Sequence, residues 1–112
     1  MLKKALRLQK KEDFDRIFRL GRPIFFGPLA LRYSAKKSPG FRLGFSLSKK
    51  YLPRAVERNR LRRVLSELMA EKRSEWPESA DVVICLRRRP AAISKKDLDP
   101  AVSALLRSCK RQ

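Results

Sequence analysis

The chain has 112 residues, 43% of them hydrophobic, enough to bury one compact core, so global disorder is excluded. Lysine and arginine number 29 against 11 aspartates and glutamates, a net charge of +18 that repels itself in any compact state. A polyanion relieves that repulsion, which makes nucleic acid the leading partner class and a membrane surface the rival.

Histidine is absent, and Cys85 and Cys109 stand apart with no CxxC between them, so a Cys/His zinc site is excluded and both read as free thiols. No apolar run approaches the roughly 18 residues of a spanning helix. The start MLKKALRLQKK is basic but lacks the apolar centre of a signal peptide. The expectation is a cytoplasmic protein with no membrane partner. It forms a single domain over 1–112, whose residues 1–10 are a basic, flexible arm.

Phe14, Ile17 and Phe18 in KEDFDRIFRL, 11–20, fall on one helical stripe. Glu12, Asp13 and Asp15 crowd the first turn, where the helix dipole favours anions. Gly21 and Pro23 follow as stop signals. IFFGPLALRYS, 24–34, reads as one interrupted strand, with Gly27-Pro28 breaking it as a bulge or an edge would. After the break Leu29, Leu31 and Tyr33 alternate with Ala30, Arg32 and Ser34, though the interruption leaves the register open by one residue. KKSPG, 36–40, is a turn. In FRLGFSLS, 41–48, apolar positions alternate with small or polar ones, as in a strand with one buried face.

A long helix is expected over about 54–75, with Pro53 at its entrance and Trp76-Pro77 at its end. DVVICL, 81–86, is a continuous apolar run and reads as a central strand, closed by Arg87, Arg88, Arg89 and Pro90. Leu98, Ala101, Val102, Leu105 and Leu106 mark a last helix over 95–109. The class is α+β, a mixed sheet of three to four strands in the order α-β-β-(β)-α-β-α, with a parallel pair around the long helix.

Five arginines lie within residues 54–63, and from residue 54 up to Glu67 the only acid is Glu57. Leu61, Val64, Leu65 and Leu68 form the inward stripe. Arg58 and Arg62 then lie on one flank and Arg60 on the other, with Asn59, Arg63 and Ser66 pointing outward. A solvated face laced with local ion pairs fits poorly, because most of these arginines have no acid within reach along the helix. Planar guanidinium forks suit bidentate phosphate contacts, and Asn59 suits a 2′-hydroxyl or a base edge.

SLSKK at 46–50 followed by AVERNRLRR at 55–63 resembles the signature of bacterial ribonuclease P protein subunits. The matching positions are Ser48, Lys49 and Lys50, then Arg58, Asn59 and Arg60, then Arg62 and Arg63. LRLQKKEDFDRIFRLG, 6–21, resembles that family's first helix, and DVVICLRRRPA, 81–91, its last strand and basic turn. The resemblance implies a left-handed crossover between the parallel strands, against the usual hand. It implies a protein that is not itself the catalyst: a partner RNA, with Mg²⁺ held mainly by that RNA, removes the 5′ leader of precursor tRNA. No cofactor is implied for the protein alone, and no small-molecule substrate. Ser48, Lys49, Lys50, Arg54, Arg58, Asn59, Arg60, Arg62 and Arg63 would face the RNA subunit. Two positions depart from the pattern. Tyr51-Leu52-Pro53 replaces a glycine-containing turn, and Ser66 stands where the family has arginine, so Ser66→Arg is expected to tighten RNA binding.

A leader cleft is implied between the first helix and the sheet. Phe14 and Phe18 either pack as core or border that cleft as stacking platforms. Its floor would carry Ala30, Arg32 and Ser34, with Arg32 where the family often has tyrosine. Arg7 and Lys10 either contact phosphates or form a solvated tail. Intrinsic nuclease chemistry is not expected, because without histidine it would fall to carboxylates or lysine, and the one acid cluster is explained by the helix dipole. The alternative function is a structural RNA-binding protein of ribosomal type. A DNA-reading helix would normally follow another helix after a short turn, which this order does not offer.

Overall fold

A computed structural model describes residues 7, 8, 10–35 and 40–111, the last two by backbone alone. The elements are α1 (Lys11–Leu20), β1 (Arg22–Phe26), β2 (Leu29–Ala35), β3 (Gly40–Ser46), α2 (Ala55–Glu71), a 3-10 turn (Arg73–Glu75), β4 (Ser79–Leu86) and α3 (Lys95–Arg111). The strands form one mixed sheet in the order β1-β2-β4-β3. β2 is antiparallel to β1 and to β4, and β3 is parallel to β4, the pair expected around the long helix.

Residues 24–34 are not one interrupted strand. Ile24 pairs with Leu31 and Phe26 with Leu29 across a hairpin whose turn is Gly27-Pro28. Gly27 adopts a positive φ of 58°, which turns the chain where a bulge would only bend it. The alternation of β2 keeps the expected register. Leu29, Leu31 and Tyr33 face the main core with Leu43, Val82 and Ile84, and α2 and α3 close that core from one side. Ala30, Arg32 and Ser34 lie on the opposite face. The turn expected at 36–40 falls outside the described residues except for Gly40.

α1 covers part of this second face, and electrostatics hold it there. Asp81 is fully buried. Arg16 of α1 donates to its Oδ2 at 2.6 Å, and Arg42 of β3 grips both oxygens at 3.0 and 2.8 Å. Asp13 joins from α1, 3.5 Å from Arg42 and 3.6 Å from Arg16. The hydrogen bond to Asp81 raises the Arg42 pKa further still, so its charge is permanent. Asp13 therefore does more than answer the helix dipole.

Two close approaches complete the seat. A Cβ on Gly44 would lie 2.6 Å from the Phe14 ring, so Phe14 rests directly on the backbone of β3. A Cβ on Gly21 would lie 2.3 Å from the carbonyl oxygen of Ile17, so glycine is required where α1 turns into β1. Of the basic arm expected over 1–10, residues 1–6 and 9 lie outside the described residues, and its end is anchored. Arg7 bridges Leu43 in parallel at the outer edge of β3, the Leu8 amide donates to the Leu43 carbonyl at 2.8 Å, and the Leu8 side chain is buried with Ile17 and Val83.

Ser66 is the clear departure in α2. It is 2% exposed and so does not share the outward stripe of Asn59 and Arg63. Beyond the sheet, α2 packs against α3, tied by Lys72 to Asp99 at 2.5 Å and by Lys95 to Glu71. A second packing partner widens the buried arc from Leu61, Leu65 and Leu68 round to Met69 and Ser66. Ser66→Arg should therefore not tighten binding. It should cost about 3 kcal/mol of stability or more in a urea titration, because it forces an unpaired charge inside. Asp81→Asn removes the partner of two guanidiniums. Both arginines keep some solvent access, so the expected loss is the low end for a broken buried pair, about 3 kcal/mol, read as a lower urea midpoint with unchanged slope.

Candidate nucleic-acid interface

The topology gathers cations at one end of the sheet. β3 and β4 run parallel, so both chains leave at the same edge. β3 continues into Ser48, Lys49 and Lys50 and then the start of α2, and β4 into Arg87, Arg88 and Arg89. The carboxyl ends of parallel strands are where such sheets present their binding groups.

The turn before α2 is built rather than loose. Ser48 Oγ accepts from the Lys50 amide at 3.1 Å, and the Ser48 carbonyl accepts from the amides of Tyr51 and Leu52. Leu52 is fully buried and anchors the turn in the core. Arg58 donates to the carbonyls of Leu52 and Pro53, each at 2.8 Å, and so braces the turn from inside the helix. Arg89 reaches across from the end of β4 to the Tyr51 carbonyl at 3.3 Å and to Glu57 at 2.8 Å.

That last pair uses the single acid of the first turn of α2. Arg54 provides no side-chain cap there. Arg54, Arg60 and Arg63 are exposed and meet no carboxylate among the described residues. Arg62 donates to the side-chain Oδ1 of Asn59 at 2.9 Å, which holds both side chains side by side on the surface. Cations thus surround the positive end of a helix dipole, an arrangement that an external polyanion stabilises. Lys49 and Lys50 extend the same surface, with Lys50 Nζ 5.5 Å from the Tyr51 ring centre.

The α1 side of the sheet forms a groove. Phe14 lies on Gly44, and Phe18 is 38% exposed at the helix surface. Arg32 stacks 5.5 Å from the Phe18 ring centre and donates to the Phe18 carbonyl at 3.2 Å, which closes the end of α1 onto β2. Ala30, Arg32 and Ser34 oppose Cys85, Val83 and Asp81 across β2 and β4, so the expected floor residues do share one face. Asp81 and Arg42 fill the far end of that face beneath α1. The end toward Ala30, Cys85 and Ser46 is not covered by that network. Cys85 looks into it as a neutral thiol, pushed up to about 11 by burial against a smaller opposing pull from Arg32. Cys109 is also a free thiol, buried in the main core. Lys10, at the head of α1, and Arg7, on the edge of β3, are exposed.

The family model for ribonuclease P matches residues 2–110. The chain belongs to the ribonuclease P protein family. It is 34% identical over 109 residues to the ribonuclease P protein component of Finegoldia magna, covering 96% of this chain and 91% of that one. The component from Legionella pneumophila is 35% identical over 96 residues, 86% and 80% of the two chains. The RNase P protein of Staphylococcus aureus superimposes with a TM-score of 0.82 at 29% identity over 96% of this chain and 97% of that one. That of Thermotoga maritima shares the fold, with a TM-score of 0.73 at 23% identity over 95% and 96%. The chain is thus the protein component type of an endoribonuclease complex, a ribonucleoprotein of tRNA processing.

The site also depends on residues outside the basic motif and the aromatic pair. Arg16, Arg42 and Asp81 seat α1, Gly44 admits Phe14, Arg87 fastens the Gly27-Pro28 turn, and Arg89 fastens the basic turn before α2. A signal existed for Asp81, a lone acid at the head of an apolar run in a cationic chain. The motif arginines also divide by role. Arg60→Ala and Arg63→Ala should each reduce the salt slope of binding to a ribonuclease P RNA by about 1 while the free protein melts as before. Arg58→Ala should instead destabilise the free protein by about 1–3 kcal/mol, because two carbonyls lose their charged donor.

Proposed function

We propose that this chain is the subunit of ribonuclease P that binds the catalytic RNA through the start of α2 and its neighbouring basic turns, and the 5′ leader of precursor tRNA through the groove beside α1. The observation that carries this reading is the shared position of the two surfaces. The unpaired arginines of α2, Lys49 and Lys50 lie at the carboxyl ends of β3 and β4, the same end toward which the groove opens past Ala30, Cys85 and Ser46. One bound RNA assembly can then reach the cations while a single strand runs along the sheet.

The chemistry belongs to the RNA and the Mg²⁺ it holds. The protein has no histidine. Its innermost carboxylates, Asp13 and Asp81, already face Arg16 and Arg42. What the chain supplies is cationic screening where two polyanions meet, and a position for the leader. Phe18 offers an exposed ring and Arg32 a guanidinium stacked upon it, both indifferent to base identity, which suits leaders of varied sequence. Arg7 and Lys10 would meet phosphates of the same strand. The working compartment is the cytoplasm, where precursor tRNA is made.

Phe18 is the better test residue, because Phe14 is wedged on Gly44 and its loss would disturb the fold. In a holoenzyme reconstituted with a bacterial ribonuclease P RNA, Phe18→Leu should lower affinity for precursor tRNA about fivefold or more, the cost of one lost base stack. Affinity for mature tRNA, which has no leader, should not change. Equal effects on both tRNAs would contradict the leader assignment, and failure of the protein to bind the RNA at all would favour a purely structural RNA-binding protein.

A further inference from the structure

β1 carries an exposed ring outside the contacts of α1. Phe25 pairs with Ala30, so it stands on the groove face of the sheet, yet it is 53% exposed. β1 is the outermost strand, so nothing in the sheet lies beyond it. Arg87 fastens the turn, with its amide on the Pro28 carbonyl at 2.9 Å and its Nε on the Gly27 carbonyl at 2.7 Å. The same guanidinium sits 5.4 Å from the Phe25 ring centre and props the ring from one side.

The row across the sheet at this level reads Phe25, Ala30, Cys85, Ser46. Three small side chains make a trough about 14 Å wide, given strand spacings of about 4.8 Å, and a ring stands at its outer end. The next row, Arg32, Val83 and Gly44, rises under α1 with Phe14 and Phe18. On its other side the trough is bordered by the strand ends that lead to Lys49, Lys50 and Arg87. A floor of small side chains beside aromatic rings, bordered by cations, is a layout that binds single-stranded nucleic acid without reading its sequence.

We propose that Phe25, propped by Arg87, is a further base-stacking position for single-stranded RNA, taking a leader nucleotide beyond those held beside Phe18. The inference rests on the reading of the groove as the leader site. It places aromatic surface at the β1 edge of a floor whose β2 position carries Arg32.

The test is equilibrium binding of the reconstituted holoenzyme to precursor tRNAs with leaders of increasing length, with leaderless tRNA as reference. Wild type should gain affinity with length up to a plateau. Phe25→Leu should match wild type on the shortest leaders and fall about 5- to 100-fold below it on the plateau. Phe25→Trp should restore the plateau, and its fluorescence should be quenched by long-leader precursor and not by leaderless tRNA. A Phe25→Leu plateau equal to wild type overturns the Phe25 position and leaves the groove reading standing. So does an equal loss on leaderless tRNA. A wild-type holoenzyme indifferent to leader length overturns both.

Discussion

A buried carboxylate organises this molecule. Asp81 lies at the start of β4 with no solvent exposure and takes a guanidinium from α1 and another from β3. In a chain with 29 cations and 11 acids, charge repulsion resists the packing of any basic helix on a basic strand. Asp81 reverses that sign locally. It fixes the middle of α1 over β3 and β4, and the rest of the helix then falls where Phe14 meets Gly44 and the Phe18 carbonyl meets Arg32. That constraint sets where the wall of the groove stands.

The same bookkeeping of charge separates structural arginines from presented ones. Arg16, Arg42, Arg58, Arg87 and Arg89 each donate to named carboxylates or carbonyls, and each pins one segment to another. Arg54, Arg60 and Arg63 are left at the surface. An exposed ion pair such as Arg89 with Glu57 contributes only about 0–1 kcal/mol, so its importance is geometric. It removes the one acid that could have neutralised the start of α2. The fold thus uses some of its positive charge to shape turns and directs the remainder outward at one edge.

Periodicity carried much of this into view from the residues alone. The three helices and the face shared by Ala30, Arg32 and Ser34 follow from spacing of 3.6 and 2, and the parallel pair from the order of strand, helix and strand. The misses share a cause, which is that local patterns do not register long-range partners. Gly27-Pro28 reads as a break whether the chain bends or reverses, and only the pairing of Ile24 with Leu31 decides it. A stripe for one packing partner leaves Ser66 outward, and α3 supplies a second partner that buries it. Arg42 read as a polar strand face, and its role became visible only when β4 brought Asp81 beside it. The basic motif was legible as a group, but the division between Arg58 and its exposed neighbours was not, because it depends on where two carbonyls of the preceding turn point.

The central claim is that the cationic edge and the groove act together on one RNA-held substrate. The most direct measurement is the rate of 5′ leader removal from precursor tRNA by a bacterial ribonuclease P RNA at low Mg²⁺, with and without this protein. Scarce Mg²⁺ leaves phosphate repulsion poorly screened, so added protein should raise the rate strongly, and the gain should shrink as Mg²⁺ is increased. A rate that the protein leaves unchanged at every Mg²⁺ concentration, with every bacterial RNA tried, would contradict the account.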